Sequence, residues 1–275
     1  MNPRWSEARL AEMAEAVREA AERAGAAILE VYRSAFEVEE KADGSPVTEA
    51  DFASHRLLDA ELRRIDGDVL VLSEESGASA FAERRHAERL WLVDPLDGTR
   101  EFVQRTGEFA VAVALVEHGQ AILGVLAGPV HACSWTAVRG QGAFRVAAGK
   151  RSALAVQRPA AAVPRVTVSR NHHSRSVDRY LGAVGAHQRL EIGSALKFTR
   201  LAEGAADLYP RLNSRCCEWD IAAGQVLVEA AGGQVVDRQG EALRYNRSDE
   251  LIVRNMLAFG DPDRPWLEAL HVLDA

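Results

Sequence analysis

The sequence has few cysteines and no cysteine pattern that would stabilise a small fold. Its 275 residues contain three cysteines, Cys133, Cys216 and Cys217, which show neither the CxxC spacing of a zinc site nor the even number of a disulfide framework. Disulfide-rich secreted scaffolds and zinc ribbons are therefore excluded. Reduced thiols in a cytoplasmic protein are the expectation that fits this count best.

The sequence also lacks a long apolar run. Its first 33 residues are rich in alanine and charge and contain no uninterrupted stretch like that of a signal peptide or a membrane span. The apolar positions between Trp5 and about Arg33 recur instead at helical spacing. This pattern predicts an amphipathic helix of a soluble protein, and it is compatible with a peripheral association with a membrane.

An excess of basic residues is the third absence. The formal net charge is −7, so the chain lacks the positive charge that holds a nucleic-acid polymer by counterion release. A small phosphorylated ligand stays possible, because metal ions held by acidic side chains supply positive charge locally. With 47% hydrophobic residues, the chain can bury a core as one large domain or as two smaller ones.

Two common nucleotide-binding loops are missing as well. Gly140-Gln141-Gly142 lacks the third glycine and the following helix of a dinucleotide fingerprint, and no GxxxxGK segment forms a P-loop. We interpret the glycine pair as a hairpin turn within an antiparallel meander, which is predicted between Glu108 and Val146.

The organisation of the chain is expected to change near residue 155. Apolar runs at 68–73 and 89–94 predict two buried strands, and the meander follows them. Beyond the meander, short strands alternate with helices. The prediction is an α+β domain over residues 1–155 and an α/β domain over residues 156–275.

The segment 91–102 holds the most informative pattern, in which a buried strand runs into two aspartates three residues apart. Asp94 ends the apolar run, Pro95 is expected to end the strand, and Gly98 permits a tight bend after Asp97. Carboxylates are ligands that hard cations such as Mg²⁺ prefer. The turn is therefore predicted to aim both aspartates at one cation.

Other groups around this turn extend the predicted site. The Leu96 carbonyl lies between the two aspartates and is a further candidate ligand. The backbone amides of Gly98 and Thr99, at a predicted helix start, would face a phosphate, and the Thr99 hydroxyl would lie nearby. The alternative is structural: Asp97 or Thr99 caps a helix that begins at Arg100.

Three further segments place acids at a strand end or a helix start. Glu74 follows the run at 68–73, Asp220 lies in the first turn of a predicted helix, and Asp51 lies three residues after Thr48. Each has an ordinary structural explanation. Glu74 would be a solvated loop acid, Asp220 would interact favourably with the helix dipole, and Asp51 would form half of a capping box. These explanations do not say why four segments share this placement. Because neighbouring strand ends are where sites assemble, the acids together predict a metal centre.

The order of these motifs resembles the inositol monophosphatase superfamily. The matching elements are K-x-DGSPVTxAD, EES, DPLDGTxEF, GSxLKF, AEGxADLYPR and EWDxAAG, and they run from about Lys41 to Gly233. The segments 194–198 and 202–211 look most like the CysQ-type 3'(2'),5'-bisphosphate nucleotidases. Several motifs in one order are far more specific than any one of them. The resemblance implies an α/β fold, namely a layered α/β/α/β/α sandwich.

The resemblance also implies roles for the site residues. Two or three Mg²⁺ ions would be bound by Glu74, Asp94, the Leu96 carbonyl, Asp97 and Asp220. The catalytic residues would be Asp51 and Thr99, which orient the attacking water, together with Glu74. Substrate contacts are implied for Lys41, Leu96, Asp97, Gly98, Thr99, Ser194, Lys197 and Asp220.

Two other features have competing interpretations. Lys197 lies on a predicted helix behind Gly193 and Ser194, where an ammonium and a helix N-terminus would meet a second phosphate or a ribose hydroxyl. The alternative is an exposed helix lysine. His172 and His173 are interpreted as loop residues and not as a transition-metal site, because no third ligand stands at helical spacing.

The activity implied by the resemblance is Mg²⁺-dependent hydrolysis of 3'-phosphoadenosine 5'-phosphate to AMP and phosphate by metal-activated water. An inositol monophosphatase or a broad sugar-phosphate phosphatase would share the same acids and is the alternative within this reaction class. A regulatory module without turnover is a hypothesis of another class, and the presence of all four acidic ligands argues against it. Members of the superfamily are often dimeric, so the resemblance is compatible with a homodimer, but the sequence shows no interface signature.

Overall fold

The chain forms helices and several sheets over residues 5–41, 44–171, 174–214 and 216–273, which are the parts that the computed structural model describes. The α-helices are α1 (Glu7–Tyr32), α2 (Glu49–Ile65), α3 (Ala78–Glu83), α4 (Thr99–Val103), α5 (Arg175–Val184), α6 (Leu196–Ala202) and α7 (Ala222–Ala230). The strands are β1 (Glu39–Glu40), β2 (Pro46–Val47), β3 (Leu70–Ser73), β4 (Arg89–Asp97), β5 (Ala110–Glu117), β6 (Gln120–Gly128), β7 (Cys133–Val138), β8 (Gly142–Ala147), β9 (Lys150–Ala153), β10 (Arg165–Ser169), β11 (Gln188–Ile192), β12 (Leu208–Arg211), β13 (Cys216–Cys217), β14 (Gln234–Val236), β15 (Ile252–Val253) and β16 (Met256–Phe259). Short 3₁₀ turns cover Arg84–His86, Glu218–Asp220 and Glu268–Leu273.

Helix α1 follows from the apolar spacing of its sequence. Met13, Val17, Ala21, Ala24 and Ile28 recur every three or four residues and are all fully buried. The helix begins after Ser6, whose hydroxyl accepts a hydrogen bond from the Arg9 amide at 3.2 Å. Among the described residues, no helix is long and apolar enough to cross a bilayer.

The larger sheet contains the predicted meander. Its strand order is β3-β4-β5-β6-β7-β8-β9, in which only the β3–β4 pair is parallel. The turns after β5 and β7 contain Gly119 and Gly140, each with φ of 79°, a left-handed conformation that glycine adopts without strain. The predicted meander and its hairpin turn are thus confirmed.

The smaller sheet has the order β11-β10-β12-β16-β14 and is formed by the later part of the chain. The first three of these strands run parallel, and β16 pairs antiparallel with both β12 and β14. Helix α5 connects β10 to β11, and α6 connects β11 to β12. This is the alternation of strands and helices that the sequence predicts.

The two sheets and the helices stack in five layers. Helices α1 and α2 cover one face of the larger sheet, where Val111, Val113 and Leu115 are buried. Helices α6 and α7 lie between its other face and the smaller sheet, and α5 with the Glu268–Leu273 turn covers the far side. The predicted α/β/α/β/α sandwich is therefore confirmed. The domain boundary near residue 155 stays a prediction.

Candidate metal centre and active site

Asp94 and Asp97 lie on the same face of the larger sheet because β4 bulges between them. Asp94 pairs with Ala112 and Asp97 pairs with Ala110, so three steps along β4 match two steps along β5. In a regular strand, residues three apart point to opposite faces. The extra residue in the bulge turns Asp97 back to the side of Asp94.

The expectation that Pro95 ends the strand is wrong. β4 continues through Pro95 to Asp97, because at a bulge the proline is not required to supply a ladder hydrogen bond. The Ser54 hydroxyl on α2 donates to the Pro95 carbonyl at 2.7 Å, and the Leu96 amide donates to Asp94 Oδ1 at 3.0 Å. These two bonds fix the bulge in place.

Gly98 makes the tight bend that the sequence predicts. Its φ of 94° is left-handed, and a Cβ atom at this position would lie 3.1 Å from Ser194 Cβ and 3.2 Å from the Glu108 carbonyl oxygen. Helix α4 begins directly after it at Thr99, one residue before the alternative start at Arg100. The turn therefore requires glycine for its conformation and for space.

Glu74 and Asp94 each follow the last paired position of the parallel strands β3 and β4. Ser73 pairs with Val93 in the β3–β4 ladder, and the Glu74 amide donates to the Val93 carbonyl at 3.0 Å. Both acids therefore lie at the same edge of the sheet, as the sequence predicts.

Asp220 reaches this edge from the later part of the chain. It ends the 3₁₀ turn Glu218–Asp220, so it lies just ahead of α7 and not within the first turn of that helix. Its Oδ2 atom accepts hydrogen bonds from the Cys217 amide at 3.0 Å and from the Cys216 thiol at 3.1 Å.

Asp94, Asp97 and Asp220 form a compact acidic cluster. Each offers a carboxylate oxygen, and these oxygens lie within 4.8 Å of one another. They line a cleft of about 200 Å³ together with Glu74, Leu96, Gly98, Thr99, Ser194 and Lys197. Three carboxylates at this spacing fit a hard divalent cation, which takes oxygen ligands.

The electrostatics of the cleft favour a cation at this cluster. Burial raises the pKa of Asp94 well above its usual value, and the charges of Glu74 and Asp97 add to the effect. Burial and the charge of Asp220 raise the pKa of Asp97 to about 7. Burial also raises the pKa of Glu74 to about 7, although Lys41 opposes this. Desolvated carboxylates repel one another, and a divalent cation offsets that repulsion.

Asp51 is joined to the cleft through Thr99. Its Oδ2 accepts hydrogen bonds from the Thr48 amide and hydroxyl, each at 2.8 Å, which closes a capping box. Its Oδ1 lies 3.2 Å from the Thr99 hydroxyl, which is also 3.2 Å from the Leu96 carbonyl. Burial raises the pKa of Asp51 to about 6 against the hydrogen bonds from Thr48. One oxygen of Asp51 therefore caps the helix while the other contacts a residue of the cleft.

Lys41 contacts the cleft from the β1–β2 hairpin. Its Nζ atom donates to Glu74 Oε1 at 2.7 Å and also contacts the Glu75 carboxylate. Ser45 from the same hairpin lines the cleft, whereas Asp43 of the predicted turn lies outside the described residues.

Lys197 is buried, so its interpretation as an exposed helix lysine is wrong. Only 2% of the residue is exposed, and it lines the acidic cleft. Its Nζ atom donates to the carbonyls of Ile192 at 3.2 Å and Ser194 at 2.6 Å. Burial lowers the pKa of Lys197 to about 8. Helix α6 begins at Leu196 and does not include Ser194, which has a left-handed φ of 52°.

The loop after β10 contributes in part to the site. Ser169 lines the cleft, and the next residue, Arg170, forms an ion pair with Glu108. His172 and His173 lie outside the described residues, so their interpretation as loop residues stays a prediction.

Arg211 lines the same cleft, although no sequence pattern predicts a role for it. Its guanidinium donates to the Tyr209 hydroxyl at 3.3 Å and to the Ser214 hydroxyl at 3.2 Å, and both partners are neutral. Arg211 also lines an adjoining cavity of about 380 Å³, with Tyr209 and Ser169 common to both spaces. The sequence feature that could have indicated a role for Arg211 is its position at the end of the AEGxADLYPR motif.

Comparison with known protein sequences identifies the family. The model of the inositol monophosphatase family matches residues 9–268. The 3'(2'),5'-bisphosphate nucleotidase CysQ of Escherichia coli strain K12 is 43% identical over 244 residues, which cover 87% of this chain and 96% of that protein. The protein of the same name from Aggregatibacter actinomycetemcomitans is 34% identical over 257 residues, covering 93% and 95%.

Solved structures show the same architecture. The crystal structure of CysQ from Bacteroides thetaiotaomicron has a TM-score of 0.79 and 33% identity, and the match covers 90% of this chain and 96% of that one. Thermotoga maritima IMPase has a TM-score of 0.76 and 25% identity, with 93% and 96% covered. The layered fold is that of a family of phosphatases. The chain belongs to the inositol monophosphatase family.

Proposed function

We propose that this chain is a 3'(2'),5'-bisphosphate nucleotidase, which hydrolyses the 3'-phosphate of 3'-phosphoadenosine 5'-phosphate to give AMP and phosphate. The observation that carries the proposal is a single cleft in which three clustered carboxylates face two cations, the buried Lys197 and the partly exposed Arg211. A substrate with two phosphates uses both features, one phosphate at the metal centre and the other at the cations. The similar proteins from Escherichia coli and Aggregatibacter carry this activity in their names.

The metal ion of the proposal is Mg²⁺, with two or three ions in each site. The residues that would hold it are Glu74, Asp94, Asp97 and Asp220 with the Leu96 carbonyl, all of which line the cleft. Bound Mg²⁺ would neutralise charge on the phosphoryl oxygens and lower the pKa of a nearby water. The acidic cluster and the raised pKa values of Asp94 and Asp97 support this assignment.

Asp51 and Thr99 orient the attacking water in this proposal. The Thr48 bonds hold the Asp51 carboxylate, and Asp51 Oδ1 accepts the hydroxyl proton of Thr99 in a hydrogen bond. With its proton directed to Asp51, the Thr99 oxygen presents lone pairs that accept a hydrogen bond from water. Glu74, at the neighbouring strand end, is the third catalytic residue.

The substrate side of the proposal uses the other lining residues. The amides of Gly98 and Thr99 face the reacting phosphate, and Ser194, Lys197 and Arg211 bind the rest of the substrate. The nucleoside occupies the adjoining cavity, which opens beside Arg211. In this proposal the metal-site residues Leu96, Asp97 and Asp220 also contact the substrate. Lys41 does so once its ammonium leaves Glu74.

A substrate profile at fixed Mg²⁺ concentration tests the proposal. Phosphate release from 3'-phosphoadenosine 5'-phosphate is compared with release from inositol 1-phosphate, with and without added lithium. We expect preferential hydrolysis of the bisphosphonucleotide and inhibition by lithium. Equal or greater activity on inositol 1-phosphate would replace the nucleotidase by an inositol monophosphatase or a sugar-phosphate phosphatase.

A cytoplasmic location is part of the proposal. The three cysteines Cys133, Cys216 and Cys217 are all free thiols, which suits a reducing compartment. A homodimer stays a prediction, and size-exclusion chromatography with light scattering tests it.

A further inference from the structure

Glu108 connects the loop before β5 with the ends of two strands of the smaller sheet. Its carboxylate binds Arg170 twice, at 2.9 Å from both Nε and Nη2. Its Oε2 atom also accepts a hydrogen bond from the Gly193 amide at 2.8 Å. Arg170 follows β10 and Gly193 follows β11. One side chain therefore joins the metal-bearing half of the cleft to the half that carries Lys197.

The segment 192–195 contacts both halves of the cleft. The carbonyls on either side of Gly193 accept hydrogen bonds from Lys197 Nζ at 3.2 and 2.6 Å. Two residues further on, the Ala195 amide donates to the carboxylate of Asp97. Lys197 and the metal-site Asp97 are thus held by neighbouring groups of one short segment, whose central amide is bound by Glu108.

This segment is closely packed and contains a residue in a strained conformation. A Cβ atom on Gly193 would lie 2.5 Å from Glu101 Cγ and 2.7 Å from the Glu108 carbonyl oxygen. The following residue, Ser194, has a left-handed φ of 52°, which a serine keeps only where its surroundings hold it. The hydrogen bond from Gly193 to Glu108 supplies such a restraint at the adjoining residue.

The hydrogen bond from the Gly193 amide contributes more to positioning the segment 192–195 than the ion pair with Arg170 does. The Arg170 side chain is 36% exposed and that of Glu108 is 23% exposed, so solvent weakens their Coulomb attraction. A backbone amide that donates to a carboxylate makes a charge-assisted hydrogen bond with a fixed direction. Arg170 instead orients the carboxylate towards Gly193.

We propose that Glu108 is a positioning residue that sets the separation between the metal-site carboxylates and Lys197, and thereby selects substrates that carry two phosphate groups. This inference rests on the proposed nucleotidase function, because the separation matters only when one phosphate lies at each place. Glu108 acts through Gly193 and the segment around it, and it is not a catalytic residue.

The test measures steady-state hydrolysis of 3'-phosphoadenosine 5'-phosphate by the full chain and its variants. Glu108→Ala should raise KM by about tenfold or more, because a small displacement of a binding group has a large effect, while kcat stays within about threefold. Glu108→Gln keeps an oxygen that accepts the Gly193 amide but loses the charge, so its KM should lie between those of the parent and Glu108→Ala. The Mg²⁺ concentration for half-maximal activity should change by no more than about twofold in either variant.

Glu117→Gln is the matched control. Glu117 ends β5, near whose start Glu108 lies, and it pairs with Arg89 at 2.8 Å. Its replacement also removes a glutamate–arginine ion pair of similar length. This pair lies at the other end of β5, away from the cleft. KM should not change.

The outcomes separate this inference from the proposed function. If the parent protein does not hydrolyse the bisphosphonucleotide, the proposed function fails. If the parent is active and Glu108→Ala leaves KM unchanged, the inference fails alone. A lower KM would also overturn it, since Glu108 would then only screen the charge of Arg170. If Glu108→Ala does not fold, Glu108→Gln decides: a KM raised by about threefold with an unchanged Tm supports positioning, and failure of both variants to fold makes Glu108 purely structural.

Discussion

The Cys216 thiol donates a hydrogen bond to Oδ2 of Asp220 over 3.1 Å, beside the Cys217 amide, which reaches the same oxygen at 3.0 Å. Neither donor contacts Oδ1, so that oxygen is the one we expect to face a cation. Cys216 is fully buried, and its thiol therefore acts within a region that water does not reach. Side chains that orient a metal ligand in this way affect metal affinity without touching the metal.

Removal of this thiol should weaken Mg²⁺ binding. Cys216→Ala leaves Asp220 with one of the two donors, so the Mg²⁺ concentration for half-maximal activity should rise by about tenfold. Cys216→Ser retains a donor and should stay within about threefold of the parent. A Mg²⁺ titration of phosphate release measures both, and Cys133→Ser, at a buried thiol on β7, is the control. An unchanged Mg²⁺ requirement in Cys216→Ala would show that the amide alone orients Asp220.

Neutralising one member of the acidic cluster should lower activity without lowering the thermal stability of the metal-free protein. Asp97→Asn or Asp220→Asn should reduce Mg²⁺-dependent hydrolysis by about 100-fold or more, because a ligand is lost. Without metal, however, the variants should unfold at a Tm equal to or above that of the parent, since burial and mutual repulsion destabilise the charged cluster.

Thermal unfolding with EDTA and with Mg²⁺ measures this. Mg²⁺ should raise the Tm of the parent by binding to the folded state, and it should raise the Tm of Asp97→Asn much less. Asp59→Asn, which breaks a partly exposed pair with Arg63, is the control and should respond to Mg²⁺ as the parent does. Full Mg²⁺-dependent turnover in Asp97→Asn would refute its assignment as a ligand.

The Gly98 turn should tolerate no side chain. Gly98→Ala places a Cβ atom at a left-handed φ of 94° and 3.1 Å from Ser194 Cβ, so we expect a loss of about 1–2 kcal/mol in the free energy of unfolding. The rate of phosphate release should fall as well, because the proposed function places the amides of Gly98 and Thr99 against the reacting phosphate. Urea unfolding and phosphate release measure the two effects. Gly77→Ala, where a Cβ atom would meet nothing within 4 Å, should leave activity unchanged.

Asp207 should make folding sensitive to acid. Its carboxylate is fully buried and accepts hydrogen bonds from the Arg165 guanidinium, the Arg165 amide and the Ala161 amide. Burial alone would raise the pKa of Asp207, but these bonds outweigh it and the net pKa lies below the usual value. A carboxyl group with a lowered pKa stabilises the fold at pH values above its unfolded pKa of about 4, and this stabilisation is lost as the pH falls through the lowered value.

Asp207→Asn should therefore reduce the free energy of unfolding at pH 7 by about 3 kcal/mol. The difference from the parent should shrink as the pH is lowered below about 4, where the parent also loses the charge. Urea unfolding of both proteins across this pH range measures the effect. Glu49→Gln, at a pair with Arg56 in which both side chains are 63% exposed, should differ from the parent by less than about 0.5 kcal/mol. A difference that does not depend on pH would mean that packing, and not the charge, explains the loss.

Much of the fold and the membership of the site follow from local sequence patterns. The apolar spacing of Met13, Val17 and Ile28 determines α1, and glycine-containing turns determine the hairpins of the meander. Asp94 and Glu74 are recognisable because each follows an apolar run, although β4 continues beyond Asp94 to Asp97. Motif order then adds residues such as Asp51 and Ser194, whose types alone carry little information.

Other features depend on what the rest of the chain places beside a residue. Spacing alone puts Asp94 and Asp97 on opposite faces of a strand, and only pairing with β5 creates the bulge that brings them together. The burial of Lys197 is decided by the elements packed around it, because the local sequence of its helix is equally suitable for an exposed position.

The contacts of Cys216 with Asp220, and of Glu108 with Gly193, likewise depend on the tertiary structure and not on local sequence. The sequence by itself determined which acids are available, where most of the helices and strands form, and the family to which the order of the motifs belongs. Only the tertiary structure decided which atoms meet across the cleft and how strongly burial shifts their pKa values. The reason is physical: helix and strand periodicity depend on neighbours in sequence, whereas bulges, burial and electrostatic coupling depend on residues far apart in the chain.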